Sequence, residues 1–271
     1  MNYNGNDLYK NLLSGGISGF TSLTATYPTE YVKTKMQMGN TKSFLKIFGE
    51  EIKNGGLKVM YRGYFPTLLS IVPRAAINYT VYEFCYYNLL ASGYNKHLSN
   101  LSAGMISGAT AASLLATSVE NIKTQNIYFK DKTAVEIVKK IYWENGIKGF
   151  YRGFLPTVVK ESTTYGLRFY IYTTIYKELD VKGYSLFTKT VISSAIAGFV
   201  SSFLNNPIDV VQTRKQMPKN VVTNKTFKEI LKNEGIKSLY RGSIIRAIRT
   251  IPAAGISFLT YELLCKKIFI E

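Results

Sequence analysis

The tripeptide Tyr-Arg-Gly occurs at Tyr61-Arg62-Gly63, Tyr151-Arg152-Gly153 and Tyr240-Arg241-Gly242, at spacings of 90 and 89 residues. A second motif keeps the same phase. Pro28-Thr29-Glu30-Tyr31-Val32-Lys33, Ser118-Val119-Glu120-Asn121-Ile122-Lys123 and Pro207-Ile208-Asp209-Val210-Val211-Gln212 are again 90 and 89 apart. A glycine at Gly56, Gly146 and Gly235 precedes the Gly of each tripeptide by seven residues. Two motifs recurring at one fixed period mean tandem copies of one unit. The 271 residues therefore divide as 1–95, 96–184 and 185–271 rather than into independent domains.

The distribution of charge says where those units live. Between Lys10 and Glu30 lie 19 uncharged residues, between Lys96 and Glu120 lie 23, and between Lys189 and Asp209 lie 19. Each stretch can cross a bilayer. Three further apolar segments, 66–88, 156–176 and 244–264, carry Arg74 and Glu83, then Lys160, Glu161 and Arg168, then Arg246, Arg249 and Glu262. Charge is costly in lipid and must face water or a partner. The pattern predicts an all-α membrane protein with six transmembrane helices in three two-helix repeats, arranged with threefold pseudosymmetry around a polar cavity. A soluble bundle of buried helices is the alternative that the repeats disfavour.

Composition narrows the chemistry. With 46% hydrophobic residues the chain is not disordered. One histidine, His97, leaves no His-based metal site and makes a Ser-His-Asp triad improbable, and two cysteines, Cys85 and Cys265, build no disulfide framework. No enzyme, cofactor or metal is expected. The net charge of +17 comes with no free-standing basic run, which argues for anionic lipid rather than nucleic acid as a partner.

The two signatures resemble those of the mitochondrial carrier family over essentially the whole chain. That family repeats three times a Pro, an acid two residues on and a base three further, followed by an acid-Gly pair and an aromatic-base-Gly triplet. Within it, Pro28 to Thr34, and Lys160 followed eight residues on by Arg168, look most like tricarboxylate (citrate) carriers. The resemblance implies the mitochondrial carrier fold, a multi-pass monomer in the mitochondrial inner membrane, and alternating-access exchange of a small metabolite. It also implies a matrix-side gate of Glu30, Lys33, Glu120, Lys123, Asp209 and Gln212, pairing Glu30 with Lys123, Asp209 with Lys33, and Glu120 with position 212. Gln212 stands where a cation is expected, so Glu120 can receive at best a hydrogen bond there. Gln37 and Gln216 match the glutamines that brace this gate, whereas unit two has Ile127 and lacks the proline at Ser118. Pro28 should bend its helix.

A cytoplasmic-side gate would use Glu83 and Glu262, but Tyr86 and Cys265 occupy the basic positions and Tyr172 to Tyr176 carries no charge. That end is expected to close by packing and tyrosine hydroxyls. Cardiolipin is expected near Arg62, Arg152 and Arg241. Met1-Asn2-Tyr3-Asn4 has no transit-peptide character.

A pseudosymmetric ring must recognise an asymmetric solute where its repeats differ. Alignment on Tyr-Arg-Gly makes Ser70, Lys160 and Arg249 equivalent, then Ile71, Glu161 and Thr250, then Arg74, Thr164 and Ala253, then Asn78, Arg168 and Ser257. The substrate-binding set is Arg74, Asn78, Lys160, Glu161, Arg168, Arg246 and Arg249, which match the family's contact points. Five cations against one Glu favour an anion, a di- or tricarboxylate. Glu161 after Lys160 resembles amino-acid carriers, which keeps a zwitterion as runner-up, while the absence of the family's Gly-aliphatic adenine pair disfavours nucleotides. An uncoupler-like proton or anion leak pore is the alternative of another class.

Overall fold

The computed structural model describes residues 5–218 and 226–268; the side chains of 5–13, 247, 261, 262 and 264–268 lie outside that description, Glu262 among them. Unit one consists of α1 (Gly5–Gln37), the short α2 (Phe44–Val59) and α3 (Tyr64–Ala91). Unit two has α4 (Lys96–Ala111), a π-helical turn (Ala112–Ala116), α5 (Thr117–Tyr128), the short α6 (Ala134–Asn145), a 3-10 turn (Ile147–Tyr151) and α7 (Phe154–Val181). Unit three has α8 (Leu186–Leu204), α9 (Asn206–Gln216), α10 (Phe227–Glu234), α11 (Ile236–Leu239) and α12 (Ser243–Ile268). The long helices pack in the order α1, α3, α4, α7, α8, α12, and α12 closes the ring on α1. The described residues thus form six long spans. Only Lys96–Tyr128 and Leu186–Leu204 are, by length and composition alone, apolar enough to be picked out as membrane spans among the described residues.

The ring is apolar outside and polar between its helices. Leu69, Phe84, Leu114 and Ile251 stand exposed on its surface, whereas Ser18, Ser22, Asn78, Asn100 and Ser107 are buried. In water such a surface would be a liability; against lipid it is the required one. Lipid supplies no hydrophobic drive for helices to associate, so close backbone approach must do it. Gly19, Gly108 and Gly198 lie against Ile71, Glu161 and Thr250, three equivalent positions on α3, α7 and α12. At Gly108 the neighbour is backbone, with the Glu161 carbonyl carbon 2.7 Å and the Ser162 nitrogen 2.9 Å from where a Cβ would sit.

The glycines of Tyr-Arg-Gly join one unit to the next. Gly63, Gly153 and Gly242 start α3, α7 and α12 at φ 76°, 76° and 78°, a conformation that favours glycine. A Cβ would lie 3.1 Å from Lys123 O, 3.5 Å from Gln212 O and 3.4 Å from Lys33 O respectively. Each even helix thus begins against the following unit's odd helix, beside its third motif position. The tyrosine has a separate duty in unit one. Pro28 leaves the Thr24 carbonyl without its helical partner, and the Tyr61 hydroxyl donates to that oxygen at 3.1 Å.

The three odd spans turn at this level in different ways. α1 runs through Pro28 as one continuous helix, whereas the third span is broken at Asn205 just before Pro207. The second, which lacks proline, carries the π turn. Spacing explains it: Gly19 precedes Pro28 by nine residues and Gly198 precedes Pro207 by nine, but Gly108 precedes Ser118 by ten. A π turn absorbs one surplus residue in an α-helix. The Thr117 hydroxyl donates to Ala112 O at 2.7 Å within it.

Gly108→Ala should lower stability by about 1–3 kcal/mol, because backbone cannot yield to the added methyl. Gly15→Ala, where nothing lies within 4 Å, should be silent. Thermal unfolding of the two variants in detergent checks the contrast.

Candidate functional site

α1, α5 and α9 meet at one end of the ring. Glu30 and Lys33, three apart on α1, lie 3.5 Å from each other and face both neighbours. Lys123 Nζ is 2.7 Å from Glu30 Oε1, and Lys33 Nζ is 2.7 Å from Asp209 Oδ2. All four side chains are buried.

The third meeting point differs from expectation. Gln212 makes no hydrogen bond to Glu120, and its buried Oε1 has no partner. Glu120 instead lies 3.7 Å from Lys123, 3.8 Å from Arg74 and 4.0 Å from Lys160. Lys160 Nζ, on α7, also sits 3.1 Å from Glu161 and 3.5 Å from Asp209. An amide cannot replace a charge beside the half-buried Glu120 carboxylate, and cations from the even helices approach it instead.

The other cations of the even helices join the same network. Arg74 pairs with Glu161, Arg246 lies 3.0 Å from Asp209, and Arg249 lies 3.3 Å from Glu30 and 3.4 Å from the Thr26 hydroxyl. Carboxylates of the odd helices, Glu30, Glu120 and Asp209, thus face four of the five cations in the expected binding set. Among the described residues, Glu30, Glu120, Glu161 and Asp209 face Lys33, Arg74, Lys123, Lys160, Arg246 and Arg249, so four carboxylates meet six cations and two positive charges are uncompensated. Arg168 stands apart, exposed and without an ion pair among the described residues. Asn78 is buried and donates to the Arg74 carbonyl at 2.9 Å, which leaves its Oδ1 without a partner.

Gln37 Nε2 donates to Asp209 Oδ2 at 2.8 Å and so touches the Lys33–Asp209 pair. Gln216 does not touch a charge: its Oε1 accepts from Thr124 at 3.1 Å and its Nε2 is unpartnered. Arg214 turns away from the ring and pairs with Glu234 of α10. Arg241 lies 3.3 Å from Glu234, and Arg152 donates to Met217 O at 2.8 Å; these two cations are engaged within the protein. Arg62 Nη1 is buried without a partner.

One charged cluster escaped the sequence reading. Glu51 of α2 accepts from Lys35 at 3.2 Å, from Lys130 at 2.9 Å and from the Tyr31 hydroxyl at 3.1 Å, tying unit one to unit two. Lys35 is equivalent to Arg214, but the position equivalent to Glu234 is Gly55, and Glu51 stands one helical turn before it. A search for an acid in phase misses an acid displaced by a turn. Burial raises the Glu51 carboxyl, but hydrogen bonds and charge from Lys130 and Lys35 outweigh it and hold the group below the ordinary carboxylate value.

At the opposite end, Glu83 is exposed and forms no ion pair among the described residues. The Tyr82 ring stacks on Phe169 at 3.9 Å and its hydroxyl donates to Asn100 Oδ1 at 2.5 Å, with Tyr86 parallel at 5.7 Å. Besides these rings and hydroxyls, the described part of this end holds an exposed ion pair between Lys189 of α8 and Asp180 of α7.

Comparison with known proteins agrees with this architecture. Residues 4–92, 94–182 and 184–271 each match the family described as mitochondrial carrier protein, and the chain belongs to that family. It is therefore a multi-pass transporter of the mitochondrial inner membrane and not an enzyme. It is 29% identical to the mitochondrial tricarboxylate transport protein of Bos taurus, over 93% of this chain and 88% of that one. It is 32% identical to mitochondrial substrate carrier family protein P of Dictyostelium discoideum, over 93% of this chain and 92% of that one. A mitochondrial adenyl nucleotide antiporter of Danio rerio is 30% identical over 94% of this chain and 57% of its own length.

Because its folded-state pKa is depressed, Glu51 contributes stability at neutral pH that is lost as pH falls below the ordinary carboxylate value of 4.5. Glu51→Gln should cost about 1–3 kcal/mol at pH 7 and progressively less below that value. Unfolding midpoints of both proteins in detergent across pH 7 to 4 test the sign.

Proposed function

We propose that this carrier exchanges a di- or tricarboxylate by alternating access. Arg74, Asn78, Lys160, Glu161, Arg168, Arg246 and Arg249 are the binding set, with Glu30, Lys33, Glu120, Lys123, Asp209 and Gln212 forming the closed matrix-side end, braced by Gln37. The observation that carries the reading is the charge balance of the central network among the described residues, six cations against four carboxylates, with Arg168 exposed eight residues along α7 from Lys160. A small polyanion supplies the missing negative charge, and arginine forks grip carboxylates bidentately. Such an anion competes with Glu30, Glu120 and Asp209 for the same cations, so its binding weakens the closure. The shift goes only as far as its preference for the open state.

Glu161 favours a carboxylate over an amino acid. It is already the counter-ion of Arg74 and Lys160, and an ammonium would have to displace both. The relative from Bos taurus, named for tricarboxylates, supports the same direction, whereas the nucleotide antiporter of Danio rerio supports a larger anion.

The binding set is complete in one chain, which supports a monomer. An anionic lipid of the cardiolipin class is the expected partner at Arg62, where the buried Nη1 lacks a protein partner.

In liposomes, labelled citrate, malate and succinate should enter only against an internal carboxylate, while nucleotides and amino acids should not compete. Uptake without a counter-anion would mark a leak pore instead. Arg249→Ala should fold yet lose roughly 30-fold or more of the uptake rate; unchanged uptake would remove Arg249 from the site.

A further inference from the structure

The three seams between units at the closed end are not built alike. Lys33 of unit one meets Asp209 of unit three at 2.7 Å, and Lys123 of unit two meets Glu30 of unit one at 2.7 Å. By the same symmetry, position 212 of unit three should supply a cation to Glu120 of unit two, and it holds a glutamine whose buried Oε1 is unpartnered. The ion pair that crosses this seam comes from elsewhere. Lys160 of unit two, buried on α7, reaches Asp209 of unit three at 3.5 Å while staying 4.0 Å from Glu120 and 3.1 Å from Glu161.

Its symmetry mates have no such task. Ser70 donates to Thr67 O in its own helix, and Arg249 approaches Glu30, which already has Lys123 at 2.7 Å. We propose that Lys160 is the third joint of the closed end, standing in from an even helix for the cation missing at Gln212, so that one ammonium both closes the ring and meets the transported anion. The first half stands on geometry alone; the second rests on the reading of the cavity as an anion site. Here an anion that takes Lys160 opens a seam by the same act.

The test is a double-mutant cycle of K160Q and Q212K, read by thermal unfolding in detergent without substrate and by carboxylate exchange in liposomes. K160Q should lower the unfolding midpoint by roughly 5–10 °C, since it leaves the buried Glu161 and Asp209 one cation short and removes the ion pair across this seam. Q212K should recover at least half of that loss in the K160Q background and give no comparable gain in the wild type. An equal effect of Q212K in both backgrounds, or no recovery, overturns the joint. The double variant should remain at least tenfold below wild type in carboxylate uptake; full recovery overturns the second half. If K160Q yields no folded protein, recovery of folded K160Q/Q212K supports the joint. Its failure, where K160R is recovered, overturns it. A wild type that takes up no carboxylate defeats the anion reading, while the thermal cycle still decides the joint.

Discussion

Glu30 and Asp209 are buried carboxylates inside a membrane protein, and the arrangement around them follows from the cost of leaving either unpaired. A stranded buried charge costs several kcal/mol, more than any single packing contact in the ring supplies. Each acid therefore needs cations from another unit, which requires α1, α5 and α9 to meet, which in turn requires the even helices to start close against them. The left-handed glycines of Tyr-Arg-Gly allow that start, and their lack of a side chain leaves Lys123, Gln212 and Lys33 room to lie directly alongside. The outer surface contributes no inward drive, because lipid is as apolar as the side chains it touches.

Closure and recognition are not spatially separate in this network. Arg246 and Arg249 sit on the same carboxylates as Lys33 and Lys123, and Lys160 touches three acids at once. Alternating access asks that one end be stable enough to seal and weak enough to release. Sharing cations between seal and cargo meets both demands, since arrival of an anion withdraws the partners that kept the seal. The opposite end, with Tyr82 stacked on Phe169 and Glu83 exposed, follows a different rule: its ring contacts leave no buried charge to strand.

Much of this was legible in the residues. The period of the two motifs defined the units, the charge-free stretches marked the odd helices, and three-residue spacing put Glu30 and Lys33 on one face. Partners across the ring were harder. Lys123 with Glu30 followed from symmetry, but the contacts of Glu120 did not, because they depend on how far a lysine and an arginine reach from α7 and α3. The carboxylates that face Arg74, Lys160, Arg246 and Arg249 were hidden for the same reason: sequence spacing within one helix is silent on carboxylates facing it from another. Glu51 was hidden by its displacement of one turn, and the inactivity of Gln216 by its match to a pattern.

The π turn of unit two has a consequence for how this chain can change length. Adding a residue to an α-helix rotates everything beyond it by about 100°, which would carry Glu120 and Lys123 out of the ring. The wide turn at Ala112–Ala116 takes up the surplus before those residues are reached, and Thr117 occupies the Ala112 carbonyl. Residue number in that half-span is thereby uncoupled from the orientation of the charges below it. α1 has no comparable slack: it runs unbroken from Gly19 through Pro28 to Glu30, and an insertion there would turn Glu30 away from Lys123.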